Sequence, residues 1–108
     1  MKTFQITGYT GKTPELKTSG DTTYTHLRVA TRARNNRTDW FTIAVFGKLA
    51  EICAEYVRKG QVVAVSGDLR MSRYEERERV ELIADKVDFF GRNGKGDGDG
   101  ESVESTEI

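Results

Sequence analysis

GYTGKT, Gly8 to Thr13, has the ending of a phosphate-cradling P-loop. Such a loop needs a glycine five positions before its last one, so that backbone N–H groups can wrap the phosphates, and a helix directly after it. Ile6 holds the glycine position, and Pro14 followed by Thr18-Ser19-Gly20 works against a helix. The match reads as chance. Cys53 has the chemistry of a nucleophile, provided a base lies within hydrogen-bond reach. The single histidine, His26, falls on the side of a strand opposite its core side, so Cys53 reads as a small core residue on a helix. DGDGES, from Asp97, begins like a calcium loop, but Ser102 stands at the glycine position and Ile108 at the place of the bidentate glutamate. One Cys and one His do not make a zinc set. No enzyme, metal or cofactor is expected.

Rings and cations remain. RTDWFTIAVFGK, Arg37 to Lys48, holds the only tryptophan and reads as a strand and a turn. Side chains alternate along a strand. Phe41, Ile43 and Val45 form an apolar core side, while Trp40, Thr42, Ala44 and Phe46 share the other. Taken alone, that second side fits either a buried face of a central strand or an open aromatic shelf for a partner. The strand before it, Thr22 to Arg34, turns Leu27, Val29, Thr31 and Ala33 one way and Tyr24, His26, Arg28, Arg32 and Arg34 the other. Arg70, Arg73 and Tyr74 lie at the end of a later strand and in its hairpin. Bases stack on rings whatever their identity while cations follow phosphates, so interleaved rings and arginines suit a single strand of nucleic acid. A solvated arginine face over a buried tryptophan fits the same composition.

The elements that would hold these side chains can be read in order. Lys2 to Tyr9 is a first strand, and Ser19-Gly20-Asp21 is a turn into the second. Asn35-Asn36-Arg37 turns into the third. Gly47 to Lys59 is the one helix, with Leu49, Ile52, Cys53, Tyr56 and Val57 on a single stripe and Gly60 as its stop. Gln61 to Met71 is the fourth strand, Arg73 to Arg79 a polar hairpin tip, and Val80 to Phe90 the fifth strand. A mainly β chain of five strands, with one helix between strands 3 and 4, has the order of an OB-fold barrel.

At 108 residues the chain suits one domain. We expect residues 1–91 to form the barrel and residues 92–108, rich in glycine and acid, to be a disordered tail. Net charge is zero, but the acids concentrate beyond residue 90, which leaves the body basic and favours an anionic partner. No stretch approaches the ~20 apolar residues of a membrane span. No secretory leader opens the chain, and one cysteine makes no internal disulfide, so a cytoplasmic location is expected.

TDWFTIAVFGKLAEICAEYVRKGQVVAVSGDLR, Thr38 to Arg70, and GYTGKTPELK, Gly8 to Lys17, closely resemble the bacterial single-stranded DNA-binding protein family, over about residues 3–90. The run Trp-x-x-x-x-x-Phe-Gly-Lys-Leu-Ala-Glu followed by Tyr-x-x-Lys-Gly is highly specific. The resemblance implies an OB-fold that assembles as a homotetramer and wraps single-stranded DNA without strong sequence preference, in replication, recombination or repair. It implies base stacking on Trp40 and Phe46, and at Tyr74, where the family usually has a tryptophan. Phosphate contacts are expected from Arg28, Arg32, Arg34, Arg70 and Arg73. The chain departs from the pattern in three places. The loop Arg34 to Arg37 is short and lacks the additional tryptophan often found there. Phe41 replaces a histidine that sits near subunit contacts. The chain ends Ser105-Thr106-Glu107-Ile108 rather than in Pro-Phe, so recruitment of repair and replication enzymes is not carried over. A dimeric primosomal OB-fold adaptor and a protein-interaction module without nucleic acid are the alternatives.

Overall fold

A computed structural model describes residues 1–90 and the backbone of residues 100–104. The strands are β1 (Thr3–Thr10), β2 (Lys17–Ser19), β3 (Thr22–Arg32), β4 (Thr38–Phe46), β5 (Val62–Tyr74), β6 (Arg77–Phe90) and β7 (Gly100–Glu104), with helix α1 (Gly47–Tyr56) between β4 and β5. The sheet runs β1-β5-β6-β4-β3-β2, and a further pairing of β1 with β3 closes it. β4 meets β6 in parallel over only Ile43–Leu82 and Ala44–Ile83, whereas the other pairs are antiparallel. All five expected strands are present with the helix in its expected place, and the closed ring is the OB-fold barrel. β2 is a short addition that pairs with the start of β3.

Strand alternation accounts for the core. Leu27 and Val29 of β3, Ile43 and Val45 of β4, Val63 and Val65 of β5, and Val87 and Phe89 of β6 point into the barrel and are buried. Leu49, Ala50 and Cys53 of α1 plug one end. Cys53 is fully buried, and the loss of hydration pushes its thiol up from 9.0 to about 12, the behaviour of a packed small apolar group. The helix is shorter than the stripe of apolar residues suggested. It ends at Tyr56 because Val57 leaves in extended conformation and enters the core. The Gln61 side chain then accepts from Arg58 N at 2.9 Å and donates to Phe90 O at 2.9 Å, which holds the exit turn. Gly60 lies within this turn rather than at the helix end.

Two further boundaries differ from expectation. β3 stops at Arg32, so Arg34 belongs to the turn, where Ala33 N donates to Arg37 O at 2.7 Å. The hairpin between β5 and β6 has no broad tip. Its strands pair up to Tyr74–Arg77, leaving only Glu75 and Glu76 as the turn, both at positive φ. In the segment expected to be a disordered tail, Gly100–Glu104 pairs antiparallel with Lys86–Phe90. That stretch of β6 lies beyond its short contact with β4, where an unpaired edge is a template for a strand. The rest of 92–108 falls outside the described residues.

Candidate nucleic-acid interface

The register of β3 against β4 sets Tyr24, His26, Arg28 and Ala30 opposite Phe46, Ala44, Thr42 and Trp40. Residues paired in this way share a face, and this is the outer one, because Leu27, Val29, Ile43 and Val45 between them point inward. Trp40 is 47% exposed and Phe46 41%. The face is a surface rather than a second core. Small Thr42 and Ala44 separate the two rings and leave a shelf between them.

Each ring is braced. At the Phe46 end, Tyr24 lies 6.3 Å away at a tilt of 42°, and His26 stands edge-on to Tyr24 at 5.8 Å. At the Trp40 end, the Arg28 guanidinium sits 5.1 Å from the indole centroid and donates to Thr42 Oγ1 at 3.2 Å. A cation over an indole face is attracted by the ring quadrupole. Beneath the ring lies Gly11, whose backbone comes so close that an added Cβ would stand 2.5 Å from Trp40 Cζ3. Gly11 N donates to Arg28 O at 2.8 Å, and the flanking threonines fix the segment to the turn after α1. Thr10 Oγ1 donates to Arg58 O and accepts from Gln61 N, while Thr13 Oγ1 accepts from Lys59 N at 3.0 Å. The stretch with a P-loop ending is thus a brace for the indole. A depression of about 220 Å³ between Gly11, Lys12, Arg28 and Trp40 opens beside the ring.

β5 and β6 continue past the barrel as a two-stranded ribbon. A cleft of about 440 Å³ separates the outer face of β4 from β6, with His26, Ala44, Phe46, Arg79 and Val80 among its walls. Arg70 pairs with Asp68 at 3.6 Å and Arg73 with Glu78 at 3.4 Å. Such exposed pairs hold by about 1 kcal/mol at most and leave the cations free to exchange partners. Tyr74 is 64% exposed. Alternation sets Arg70 and Tyr74 on one face of the ribbon and Arg73 on the other.

The sequence-predicted residues therefore fall into three groups. Arg28, Trp40 and Phe46 come together on the shelf. Arg32 ends β3 and Arg34 lies in the following turn, both past the Trp40 end. Arg70, Arg73 and Tyr74 belong to the ribbon, and Arg73 does not share a face with the other two. Lys12 and Arg79 escaped the sequence reading, and Tyr24, placed there on the outer face, was not among its site residues. Tyr24 is reachable by extending the parity of Arg28 back along its strand. Lys12 and Arg79 reach the site only through β1–β3 closure and the β4–β6 contact, which leave no local signal.

The model of the single-strand binding protein family matches residues 1–90. The chain belongs to this family. It is 33% identical to the single-stranded DNA-binding protein of Xylella fastidiosa over 88% of its length, and 36% identical to that of Xanthomonas campestris pv. campestris over 84%. Those matches cover 65% and 61% of the relatives, so the chain spans about three fifths of the length of the curated relatives it matches. Among solved structures it is similar to Rim1, a mitochondrial single-stranded DNA binding protein from S. cerevisiae. The TM-score is 0.69 at 27% identity, over 82% of this chain and 92% of that one. Among the described residues, no helix is long and apolar enough to cross a membrane.

Proposed function

We propose that this chain binds and protects single-stranded DNA without strong base preference, as a binding protein and not a catalyst. Trp40 and Phe46 stack bases on the shelf and Tyr74 receives one on the ribbon. Arg28, Arg32, Arg34, Arg70 and Arg73 contact phosphates, with Lys12 and Arg79 beside them. The observation that carries the reading is the exposure of two braced rings on one outer face, separated by small residues and flanked by cations. Base–ring stacking is worth about 1–3 kcal/mol per base and accepts any base. Its place is in replication, recombination or repair of DNA in the cytoplasm.

Family membership favours a homotetramer over the dimer of a primosomal adaptor. Met71 and Val80 face each other across the ribbon and are both exposed, an apolar patch suited to contact between copies. Mass in solution separates the two assemblies. The test of the binding itself is titration with poly(dT) while Trp40 emission is followed, repeated with duplex DNA and with added salt. Quenching by the single strand, little change with duplex and a salt slope of about −0.7 per phosphate neutralised are expected. Emission indifferent to poly(dT) would leave a protein-interaction module as the reading.

A further inference from the structure

Tyr9, near the end of β1, is 59% exposed. It pairs with Ala30 on one side and Val62 on the other, and Ala30 pairs in turn with Trp40. Val62, Tyr9, Ala30 and Trp40 therefore form one row across four strands, all on the outer face. Ala30, the small residue between the rings, leaves the sheet low there. The indole reaches across that row to lie on Gly11, and Gly11 is two residues, or about 7 Å, along the chain from Tyr9. A depression of about 330 Å³ opens beside Tyr9, lined also by Ala30, Arg32, Thr38 and Val62. Arg32 takes part in none of the ion pairs found among the described residues. A ring, a low apolar floor and a guanidinium outside those ion pairs thus border one depression, the same kinds of group that meet around Trp40.

We propose that Tyr9 is a further base-stacking platform, so that a single strand leaving Trp40 crosses β3 onto β1, stacks a base on Tyr9 and places a phosphate at Arg32. This extends the reading of the shelf as a single-stranded DNA site and rests on it. The track then runs from Phe46 over Trp40 to the β1–β5 side, instead of ending at the indole. Stacking uses the ring face, so the platform takes any base and needs the aromatic ring but not the phenol hydroxyl.

The experiment uses the full chain and oligo(dT) of increasing length, with Tyr9→Leu and Tyr9→Phe compared with the parent by Trp40 quenching. Tyr9→Leu keeps an exposed apolar side chain but removes the ring. It should weaken long oligomers about fivefold or more, with a loss that grows with oligomer length, and Tyr9→Phe should restore affinity to within about twofold. A 5-iodouracil oligomer irradiated on the parent chain should crosslink to the peptide holding Tyr9, a readout that survives even if Tyr9→Leu fails to fold. Equal affinity of Tyr9→Leu and parent at every length, or crosslinks confined to other peptides, would overturn the track while leaving the shelf in place. A parent chain that does not bind oligo(dT) removes both. If Tyr9→Leu changes the mass in solution and DNA affinity only in step with it, the ring is a contact between copies and the proposal falls.

Discussion

The shelf on β3–β4 and the ribbon of β5–β6 both carry rings and arginines, but they hold them differently. On the shelf, Trp40 rests on the backbone of Gly11 with Arg28 against it, and Phe46 leans on Tyr24. The strands beneath are pinned by core side chains that are fully buried. On the ribbon, Tyr74 stands near a two-residue turn beyond the core, and its arginines have only exposed carboxylate partners. A ring already held in place loses little freedom when a base lands on it, whereas a ring on an unsupported arm must be ordered at that moment. On the proposed reading, the contrast assigns affinity to the shelf and reach to the ribbon.

The largest effect should come from the joint between them. Gly67 sits at the register shift of β5 against β6, just before β5 parts from β1 and runs on into the ribbon, and an added Cβ would run into the Ile83 carbonyl and the Ala84 backbone. Neither is a flexible chain end, so Gly67→Ala should cost about 3 kcal/mol in urea unfolding. An unchanged urea midpoint would mean that ribbon and barrel are not rigidly joined.

Next comes the contrast itself. Trp40→Ala should weaken binding of a labelled poly(dT), followed by anisotropy, by about 2 kcal/mol, and Tyr74→Ala by about 1 kcal/mol. A larger loss at Tyr74 would reverse the assignment of affinity and reach.

The barrel should also have a signature in pH. The folded Cys53 thiol titrates near 12 rather than 9.0 because it is buried. Its neutral form is thus favoured by folding, and the resulting stability is present in full below pH 9. It is lost as pH rises from 9 toward 12, because there the unfolded thiol ionises and the folded one does not. Relative to Cys53→Ala, the parent should lose about 1.4 kcal/mol of stability between neutral pH and pH 10. Parallel pH profiles for the two proteins would mean that the thiol reaches solvent in the folded chain.

The smallest effect belongs to the ribbon's end. Glu75 and Glu76 lie at φ 54° and 64°, a turn in which both central residues are left-handed and for which Asn-Gly is favoured. The double change Glu75→Asn and Glu76→Gly should stabilise the chain by about 1 kcal/mol, since side chains that resist this region are removed. Poly(dT) affinity should rise slightly if the ribbon then spends less freedom on binding, and a fall would show that the arm needs to be loose.

Much of the barrel is legible in residue order. The alternation in TDWFTIAVF assigns Ile43 and Val45 inward and Trp40 and Phe46 outward, and the burial agrees. The stripe Leu49, Cys53, Val57 marks the plug, though not its last turn, because tertiary packing drew Val57 out of the helix. The polar stretch Arg73 to Arg79 resembles a loop in sequence but is largely paired, since a ribbon exposed on both faces can be polar and still paired. β7 gave no apolar pattern at all, and its pairing rests on the free edge of β6.

Local order along the chain thus determined which faces exist, since the two-residue period of a strand depends on nothing beyond the strand. It also determined that rings and cations share one of those faces. Only the tertiary structure decided whether that face was covered, because burial depends on what else packs there, and among the described residues Trp40 and Phe46 remain exposed. The closure of β1 onto β3 brought Gly11 beneath the indole, Lys12 to the depression beside it and Tyr9 into its row, and the contact of β4 with β6 brought Arg79 to the cleft that Phe46 lines. These residues lie far apart in the chain, and interstrand register, unlike alternation, is fixed by the whole sheet at once.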